Sequence, residues 1–186
     1  MTGEILAVLD ACVLIPMPLA DTLLRMAEHP QLYRPQWTDI IIKEVSRNLV
    51  LKFNKTMAQA VHPETELKKA FPEARVEGYL PLVAQMNNDL KDRHLLAAAV
   101  QSESEVIVTY NKRDFPHQST EPWGIAVQGP SAFLRGLYEQ DPAVVMEKLG
   151  EQSENLKFSI AKLMERLRVN VPRFVDALDR DGRWKT

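Results

Sequence analysis

The chain has 186 residues, a formal net charge of −2 and one cysteine, Cys12. Its length fits one α/β domain with an appended unit or one large domain, and a composition that is 45% hydrophobic and 26% charged excludes wholesale disorder. A single cysteine excludes an internal disulfide and fits a reducing compartment. Because there is no global basic excess, a nucleic-acid ligand would need a local basic patch.

The sequence offers no signal for secretion or membrane insertion. The first residues, Met-Thr-Gly-Glu, lack the basic segment of a secretory signal. The longest nearly apolar run after them, residues 11–20, contains two prolines and is too short to span a bilayer. We therefore expect a cytoplasmic protein with no membrane partner.

The first part of the chain alternates strands with helices. A continuous apolar run over residues 5–9 predicts a strand buried on both faces. Two helices with apolar stripes follow. The first is predicted over about residues 19–28, and the second begins after Thr38, which could cap it, and ends at about residue 51. Residues 52–73 are polar and partly basic, which indicates a helical hairpin or other surface material.

The pattern continues in the middle of the chain. A helix is predicted after Gly78, ending at Asn87-Asn88-Asp89, and another over about residues 90–103. Short buried strands are predicted over residues 106–109 and 124–127. Helices that alternate with apolar strands favour an α/β fold with a parallel sheet and crossover connections.

Only helical signals occur over residues 131–180. We therefore place a boundary near residues 128–130, which gives an α/β domain over residues 1–129 and a helical C-terminal extension over residues 130–186.

Acidic and polar residues follow the two strongest predicted strands. Asp10 closes the first strand, and Thr109, Asn111 and Asp114 lie at or just after the end of the second. Strands of one parallel sheet share their carboxyl edge, where ligands bind in such folds, so these side chains are expected to lie together. The structural alternatives are that Asp10 caps the next turn and that Asn111 and Asp114 merely form one.

Two further acids lie on predicted helices. Glu44 follows Ile40 by four residues and Ile41 by three, spacings that predict a place on the buried face of its helix. Asp92 shares a helical face with apolar residues, which directs its carboxylate towards the sheet. The alternatives are a salt bridge for Glu44 and, for Asp89 with Asp92, a capping box.

Taken together, three or four acids at one sheet edge predict a site for a hard divalent cation. Mg²⁺ or Mn²⁺ there could activate water and orient the oxygens of a phosphate. Zinc spacing is lacking, because His62, His94 and His117 are isolated. No phosphate-binding glycine loop or nucleophile elbow is present, and Cys12 is expected to be a packed thiol.

Three stretches resemble the PIN-domain family. They are Val8-Leu9-Asp10-Ala11-Cys12-Val13-Leu14, the segment from Trp37-Thr38-Asp39 through Glu44 to Arg47-Asn48-Leu49, and Asn88 to His94 together with Ile107 to Pro116. The resemblance covers about residues 4–128. Pro16-Met17-Pro18 and the helical tail are similar to the VapC-type toxin subgroup that carries an extra C-terminal helical domain.

The resemblance implies a PIN-like three-layer fold with a central parallel sheet, and it implies roles for particular residues. The implied catalytic and metal-binding acids are Asp10, Glu44, Asp92 and Asp114. Asp89 could be an auxiliary ligand, and Asn111 competes with Asp114 for the fourth position, where only Asp114 brings a negative charge. Thr109, Arg93, Lys112 and Arg113 are the implied substrate-binding residues. Cys12 departs from the Asn, Ser or Thr that is frequent at its position in the family.

The implied activity is that of an endoribonuclease that depends on Mg²⁺ or Mn²⁺ and has RNA as its substrate. The implied biological role is the toxin of a type II toxin–antitoxin pair, with an antitoxin as partner. A homodimer is the expected assembly. The alternative is a non-catalytic PIN-like module that binds RNA or protein. A phosphotransfer receiver domain is disfavoured. Such a domain usually has paired acids beside its first strand and a lysine after its last, but here Glu4 is the only acid before Asp10 and no lysine closely follows residues 124–127.

Overall fold

The computed structural model describes residues 5–53 and 57–185, with backbone only for residues 52, 53, 57–63 and 185. The described residues form two compact units. One contains residues up to 15 together with 34–128, and the other contains residues 16–33 together with those from 129 onwards. The first unit ends at residue 128, and residues 16–33, which lie within the predicted α/β domain of residues 1–129, belong to the second unit.

The first unit is built on a parallel sheet with the strand order β2-β1-β3-β4. Its strands are β1 (Leu6–Leu9), β2 (Arg34–Gln36), β3 (Val106–Val108) and β4 (Ala126–Gln128). The two central strands, β1 and β3, are almost completely buried, as their continuous apolar runs predicted. The predicted α/β class with a parallel sheet is therefore confirmed, and the architecture is compatible with a PIN-like fold with a helical extension. β4 begins two residues later than predicted.

The helices in chain order are α1 (Ala11–Leu14), α2 (Leu19–Met26), α3 (Asp39–Phe53), α4 (Met57–Ala70), α5 (Arg93–Gln101), α6 (His117–Thr120), α7 (Pro130–Gln140), α8 (Pro142–Asn155), α9 (Ile160–Arg168) and α10 (Pro172–Asp181). In the first unit α5 packs on β1 and β3, and α3 packs against α1 and α4. The packing of α3 on α4 fits the helical hairpin predicted around residues 52–73, of which residues 54–56 lie outside the described residues.

β2 was not predicted from the sequence. It is three residues long and contains Pro35, which usually counts against a strand. The N–H of Arg34 donates to the carbonyl of Ile5 at 2.8 Å. Successive backbone N–H groups of a strand point to opposite sides, so the nitrogen of Pro35 points away from β1. The N–H that proline lacks therefore costs no hydrogen bond to β1.

Two predicted helices differ from the observed ones. The segment after Gly78 forms a 3₁₀ helix, Leu80–Gln85, and Leu80 is 63% exposed, so its apolar residues do not form a buried stripe. Pro81 lies in its first turn. The helix predicted to begin near residue 90 begins with a 3₁₀ turn, Leu90–Asp92, and becomes α-helical only at Arg93. This turn places Asp92 at the start of α5.

The second unit consists of α2 and α7–α10. Helices α7, α8 and α10 begin with a proline at the first helical position, where the missing N–H has no intrahelical partner to lose. α2 packs against α8, and α10 packs against α7 and α9. The apolar residues that give residues 131–180 their helical periodicity are mostly buried. The buried ones are Phe133, Leu134, Leu137, Val145, Leu149, Leu163, Met164, Leu167, Phe174, Val175 and Leu178.

Candidate functional site

The site is centred on the point where β1 and β3 end side by side. Leu9 pairs with Val108, and the N–H of Asp10 donates to the carbonyl of Val108 at 3.1 Å. Asp10 and Thr109, the next residues on the two strands, therefore lie in contact. This neighbourhood follows from the shared carboxyl edge of parallel strands, as the sequence indicated.

Asp10 is buried, with 5% of its surface exposed. Its Oδ2 accepts hydrogen bonds from the Thr109 hydroxyl at 2.6 Å and from the Cys12 thiol at 3.0 Å. From the described residues its Oδ1 accepts one long bond, at 3.4 Å, from the N–H of Cys12, by which Asp10 caps α1. The capping role considered from the sequence is thus real, but it leaves acceptor capacity on Oδ1.

The Cys12 thiol belongs to the same network. Burial, and secondarily the charge of Asp10, raises the pKa of the thiol to about 12. Its sulfur accepts a hydrogen bond from the N–H of Tyr110 at 3.4 Å while the thiol donates to Asp10. Cys12 is therefore a protonated donor that supports Asp10, and it is unsuited to act as a nucleophile.

Glu44 is exposed, which corrects the prediction that it lies on the buried face of its helix. The buried stripe of α3 includes Ile41, Ile42 and Val45, whereas Ile40 is 39% exposed. Glu44 lies at the margin of this stripe. Its pKa is raised by partial burial and then by the negative charge of Asp10, so the two acids interact electrostatically.

Asp92 is buried at the N-terminus of α5 and makes no capping hydrogen bond. The capping box with Asp89, which the sequence offered as an alternative, is only half formed. Asp89 accepts the N–H of Lys91 at 3.1 Å, but its own N–H donates to the backbone carbonyl of Asp114 at 3.0 Å. Within the described part of the chain, Oδ2 of Asp92 has no hydrogen-bond partner.

The carboxyl groups of Asp92 and Asp114 interact and shift each other's pKa. Burial, the hydrogen bond to Asp114 and the charge of Asp10 raise the pKa of Asp92 to about 7. The pKa of Asp114 is lowered, first by its hydrogen bond with Lys91 and then by that with Asp92. At neutral pH Asp114 is therefore ionised, whereas Asp92 is protonated in about half of the molecules.

Of the two residues considered for the fourth position, Asp114 is the one whose carboxylate lies beside Asp92. Asn111 is exposed, and its N–H donates to the Thr109 hydroxyl at 2.9 Å. Its carbonyl accepts the N–H of Asp114 at 3.0 Å, which fixes the short 3₁₀ helix Lys112–Asp114.

The predicted substrate-binding residues occupy different positions. Thr109 is fully buried and is engaged with Asp10. Lys112 and Arg113 are exposed beside Asp114, and the charge of Arg113 contributes to the lowered pKa of Asp114. Arg93 is half-buried and donates from Nε to the carbonyl of Asn88 at 3.2 Å.

Two residues at the site were not predicted as members of it. Lys91 lies 3.2 Å from Asp114, measured from Nζ to Oδ2. His94 is half-buried, and burial lowers its pKa although the charge of Asp10 partly opposes this. Its Nδ1 has no hydrogen-bond partner among the described residues. The sequence signal that could have assigned Lys91 and His94 to the site is their closeness to Asp92 in the chain.

The arrangement is thus a cluster of four acids, Asp10, Glu44, Asp92 and Asp114, in which the charge of Asp10 acts on both Glu44 and Asp92. The side chains have not converged on a single point. In residues 5–53 and 57–185, no three His, Cys, Asp or Glu side chains are placed so that they could hold one metal ion together.

Comparison with known proteins finds a curated relative for about half of this chain. Over 100 residues, this chain is 39% identical to a protein of Mycobacterium tuberculosis (strain ATCC 25618 / H37Rv) named "Putative ribonuclease VapC50". The matched region covers 52% of this chain and 59% of that relative, so the match spans about three-fifths of the relative's length. No family model matches the chain.

The described helices include none that is long and apolar enough to cross a membrane.

Proposed function

We propose that this protein is a metal-dependent endoribonuclease that hydrolyses RNA phosphodiesters with Mg²⁺ or Mn²⁺ held by Asp10, Glu44, Asp92 and Asp114. One observation carries the proposal: Asp10 and Asp92 are both buried and interact electrostatically, and Glu44 interacts with Asp10 as Asp114 does with Asp92. Carboxylates gathered in this way repel one another, and a divalent cation offsets that repulsion.

The donor atoms fit a hard cation. Asp10 keeps free acceptor capacity on Oδ1, and Oδ2 of Asp92 is buried without a partner among the described residues. Carboxylate oxygens are the ligands that Mg²⁺ and Mn²⁺ prefer. Because no three described side chains are yet placed to chelate one ion, binding requires side-chain rotation, for which Glu44, as an exposed side chain, has room.

Different residues of the chain would have different roles at the site. Thr109 and Cys12 hold Oδ2 of Asp10 and so orient its Oδ1. Asp92 serves as a charged ligand only when its carboxyl group is ionised, which its pKa of about 7 allows in about half of the molecules at neutral pH. Lys112 and Arg113, which are exposed, and Arg93 are suited to RNA phosphates. A bound cation would supply activation of water and stabilise the negative charge that develops on the phosphate.

The biological role follows from the relative's name and from the PIN-type motifs. We propose that the protein is the toxin of a type II toxin–antitoxin pair, of the VapC-type subgroup with a C-terminal helical domain. An antitoxin is then its partner, the homodimer its assembly and the cytoplasm its location. The relative is named a ribonuclease, which favours this activity over the non-catalytic alternative.

The experiment that tests the activity is cleavage of total RNA by the purified protein in Mg²⁺, in Mn²⁺ and in EDTA. Asp10→Asn and Asp92→Asn are compared with the wild type and with Glu139→Gln, which changes an exposed acid of α7. Cleavage is expected with either cation, and both site variants should lose about a hundredfold or more. Circular dichroism establishes that the variants are folded.

Full cleavage by the Asp10→Asn protein in EDTA would overturn the proposal. RNA binding without any product at all Mn²⁺ concentrations would favour a non-catalytic module. The role as a toxin is tested separately: expression should arrest growth, the Asp10→Asn protein should not, and the product of the adjacent gene should reverse the arrest. Arrest by the Asp10→Asn protein to the same extent would contradict that role.

A further inference from the structure

Lys91 borders the acid cluster and contacts Asp114. It occupies the middle of the 3₁₀ turn Leu90–Asp92, directly before Asp92 and two residues after Asp89. Its Nζ is 3.2 Å from Oδ2 of Asp114, and the Lys91 side chain is 67% exposed whereas that of Asp114 is 22% exposed. An exposed ammonium thus reaches back onto a largely shielded carboxylate.

Three acids act on this one ammonium. The hydrogen bond and charge of Asp114, and then the charges of Asp92 and Asp89, raise the pKa of Lys91. In return, Lys91 is the first cause of the lowered pKa of Asp114, and it counteracts the rise at Asp92. The 3.2 Å contact with Asp114 thus places a positive charge beside two of the four acids, Asp114 and Asp92.

We propose that Lys91 is an internal counter-ion of the acid cluster: its ammonium neutralises Asp114 in the metal-free protein, and a divalent cation must displace it to bind. This inference rests on the proposed metal site. It adds a role for a residue that is neither a metal ligand nor one of the substrate-binding residues named above.

The physical chemistry favours exchange. An exposed lysine–carboxylate pair contributes little to stability because solvent screens it, and the four-carbon stem of lysine lets the ammonium move freely. A divalent cation brings twice the charge and accepts several oxygen ligands at once. Lys91 therefore competes with the cation without excluding it, and it lowers the apparent affinity of the site.

The first test measures Mn²⁺ binding by isothermal titration calorimetry at low ionic strength. Lys91→Gln is expected to bind Mn²⁺ about fivefold more tightly than the wild type, since the competing ion pair is gone. Lys91→Arg, which keeps the charge, should bind no more tightly than the wild type.

Two control variants separate displacement from general effects. Lys112→Gln removes a positive charge two residues from Asp114 and measures the effect of the local field alone. Lys162→Gln breaks an exposed pair with Glu165 in the helical unit and should leave Mn²⁺ affinity within twofold. If Lys91→Gln changes the affinity no more than Lys112→Gln does, the counter-ion role is wrong.

The second test follows the ammonium itself. Lysine acetylation by an amine-reactive ester, read by mass spectrometry, should modify Lys91 slowly in the metal-free protein. Addition of Mn²⁺ should speed modification at Lys91 severalfold but not at Lys162. Asp114→Asn should speed it without metal. Unchanged reactivity of Lys91 in both cases would contradict the displacement.

The two proposals fail in different ways. If the wild type binds no Mn²⁺, or if Asp10→Asn and Asp92→Asn bind it as well as the wild type does, the metal site itself is wrong. If the wild type binds Mn²⁺ through these acids and Lys91→Gln binds it with unchanged affinity, only the counter-ion inference fails.

Discussion

The hydroxyl of Thr109 donates a 2.6 Å hydrogen bond to Oδ2 of Asp10, although the two residues are 99 positions apart in the chain. Thr109 is fully buried, and its oxygen also accepts the N–H of Asn111 at 2.9 Å. One hydroxyl therefore joins the end of β1 to the loop that carries Asp114. The orientation of Asp10 depends on this junction.

Replacement of this hydroxyl should affect the site more than the fold. Thr109→Val keeps the shape but leaves the Asn111 N–H and Asp10 Oδ2 each without one partner, at a cost of about 1–3 kcal/mol in the free energy of unfolding. Mn²⁺ affinity should fall, whereas Thr109→Ser should restore both properties. Urea unfolding and calorimetry measure them. Unchanged Mn²⁺ affinity in a folded Thr109→Val protein would show that Asp10 is oriented by other contacts.

The thiol of Cys12 should be unreactive. A pKa of about 12, against an ordinary value of about 8.5, leaves very little thiolate at pH 7.5, and the thiolate is the reactive form. Alkylation by iodoacetamide should be about a hundredfold or more slower in the native protein than in urea. Asp10→Asn should speed the native reaction only in part, because burial is the larger cause. Equal native and unfolded rates would refute this account of the thiol.

Asp92 should make stability depend on pH. The pKa of Asp92 is about 7 in the folded protein and about 3.9 in an unfolded chain. Between these values the folded state binds more protons, so the contribution of Asp92 to stability falls as pH rises from about 4 to 7. Asp92→Asn should therefore stabilise the metal-free protein at pH 8, by about 1–2 kcal/mol, and by less at pH 5.

Thermal unfolding in EDTA at the two pH values measures this difference. Asp89→Asn is the matched control, because Asp89 is exposed and asparagine can also cap the turn. The control should show no comparable gain at pH 8. An Asp92→Asn protein that is less stable than the wild type at pH 8 would show that the ionised carboxylate is stabilised in the fold.

A buried polar network should stabilise the helical unit. Gln152 is fully buried, accepts the Thr22 hydroxyl at 2.8 Å and donates to the carbonyl of Pro18 at 3.1 Å. Gln152→Ala should cost about 2 kcal/mol or more, because it leaves a cavity and removes both hydrogen bonds. Gln140→Ala, an exposed change in α7, should stay within about 0.5 kcal/mol. Urea unfolding compares the two, and equal effects would contradict the network's role.

The sequence predicted the elements whose signal is local. The apolar runs of β1 and β3 and the helical periodicity of the tail determine those elements almost by themselves. The sheet edge that gathers Asp10, Thr109 and Asp114 could also be predicted, because parallel strands share an end.

The rest depends on contacts between distant residues. β2 contains Pro35 and gains its place only by pairing with β1. Glu44 was assigned to the wrong face because Ile40, which spacing made part of the stripe, is exposed. Lys91 was not assigned to the site, since nothing in the local pattern shows that the loop bearing Asp114 lies against it.

The helical unit is made from two separate stretches of chain, and this limits how it can be divided. Leu19, Leu23 and Met26 of α2 are completely shielded, and α2 packs against α8. Tyr33 meets Phe133 edge-to-face at a centroid distance of 4.9 Å. A single cut near residue 129 would therefore not release an independent tail, and the two pieces should stay associated. The longer piece alone would carry α2 with its apolar face uncovered and would tend to precipitate.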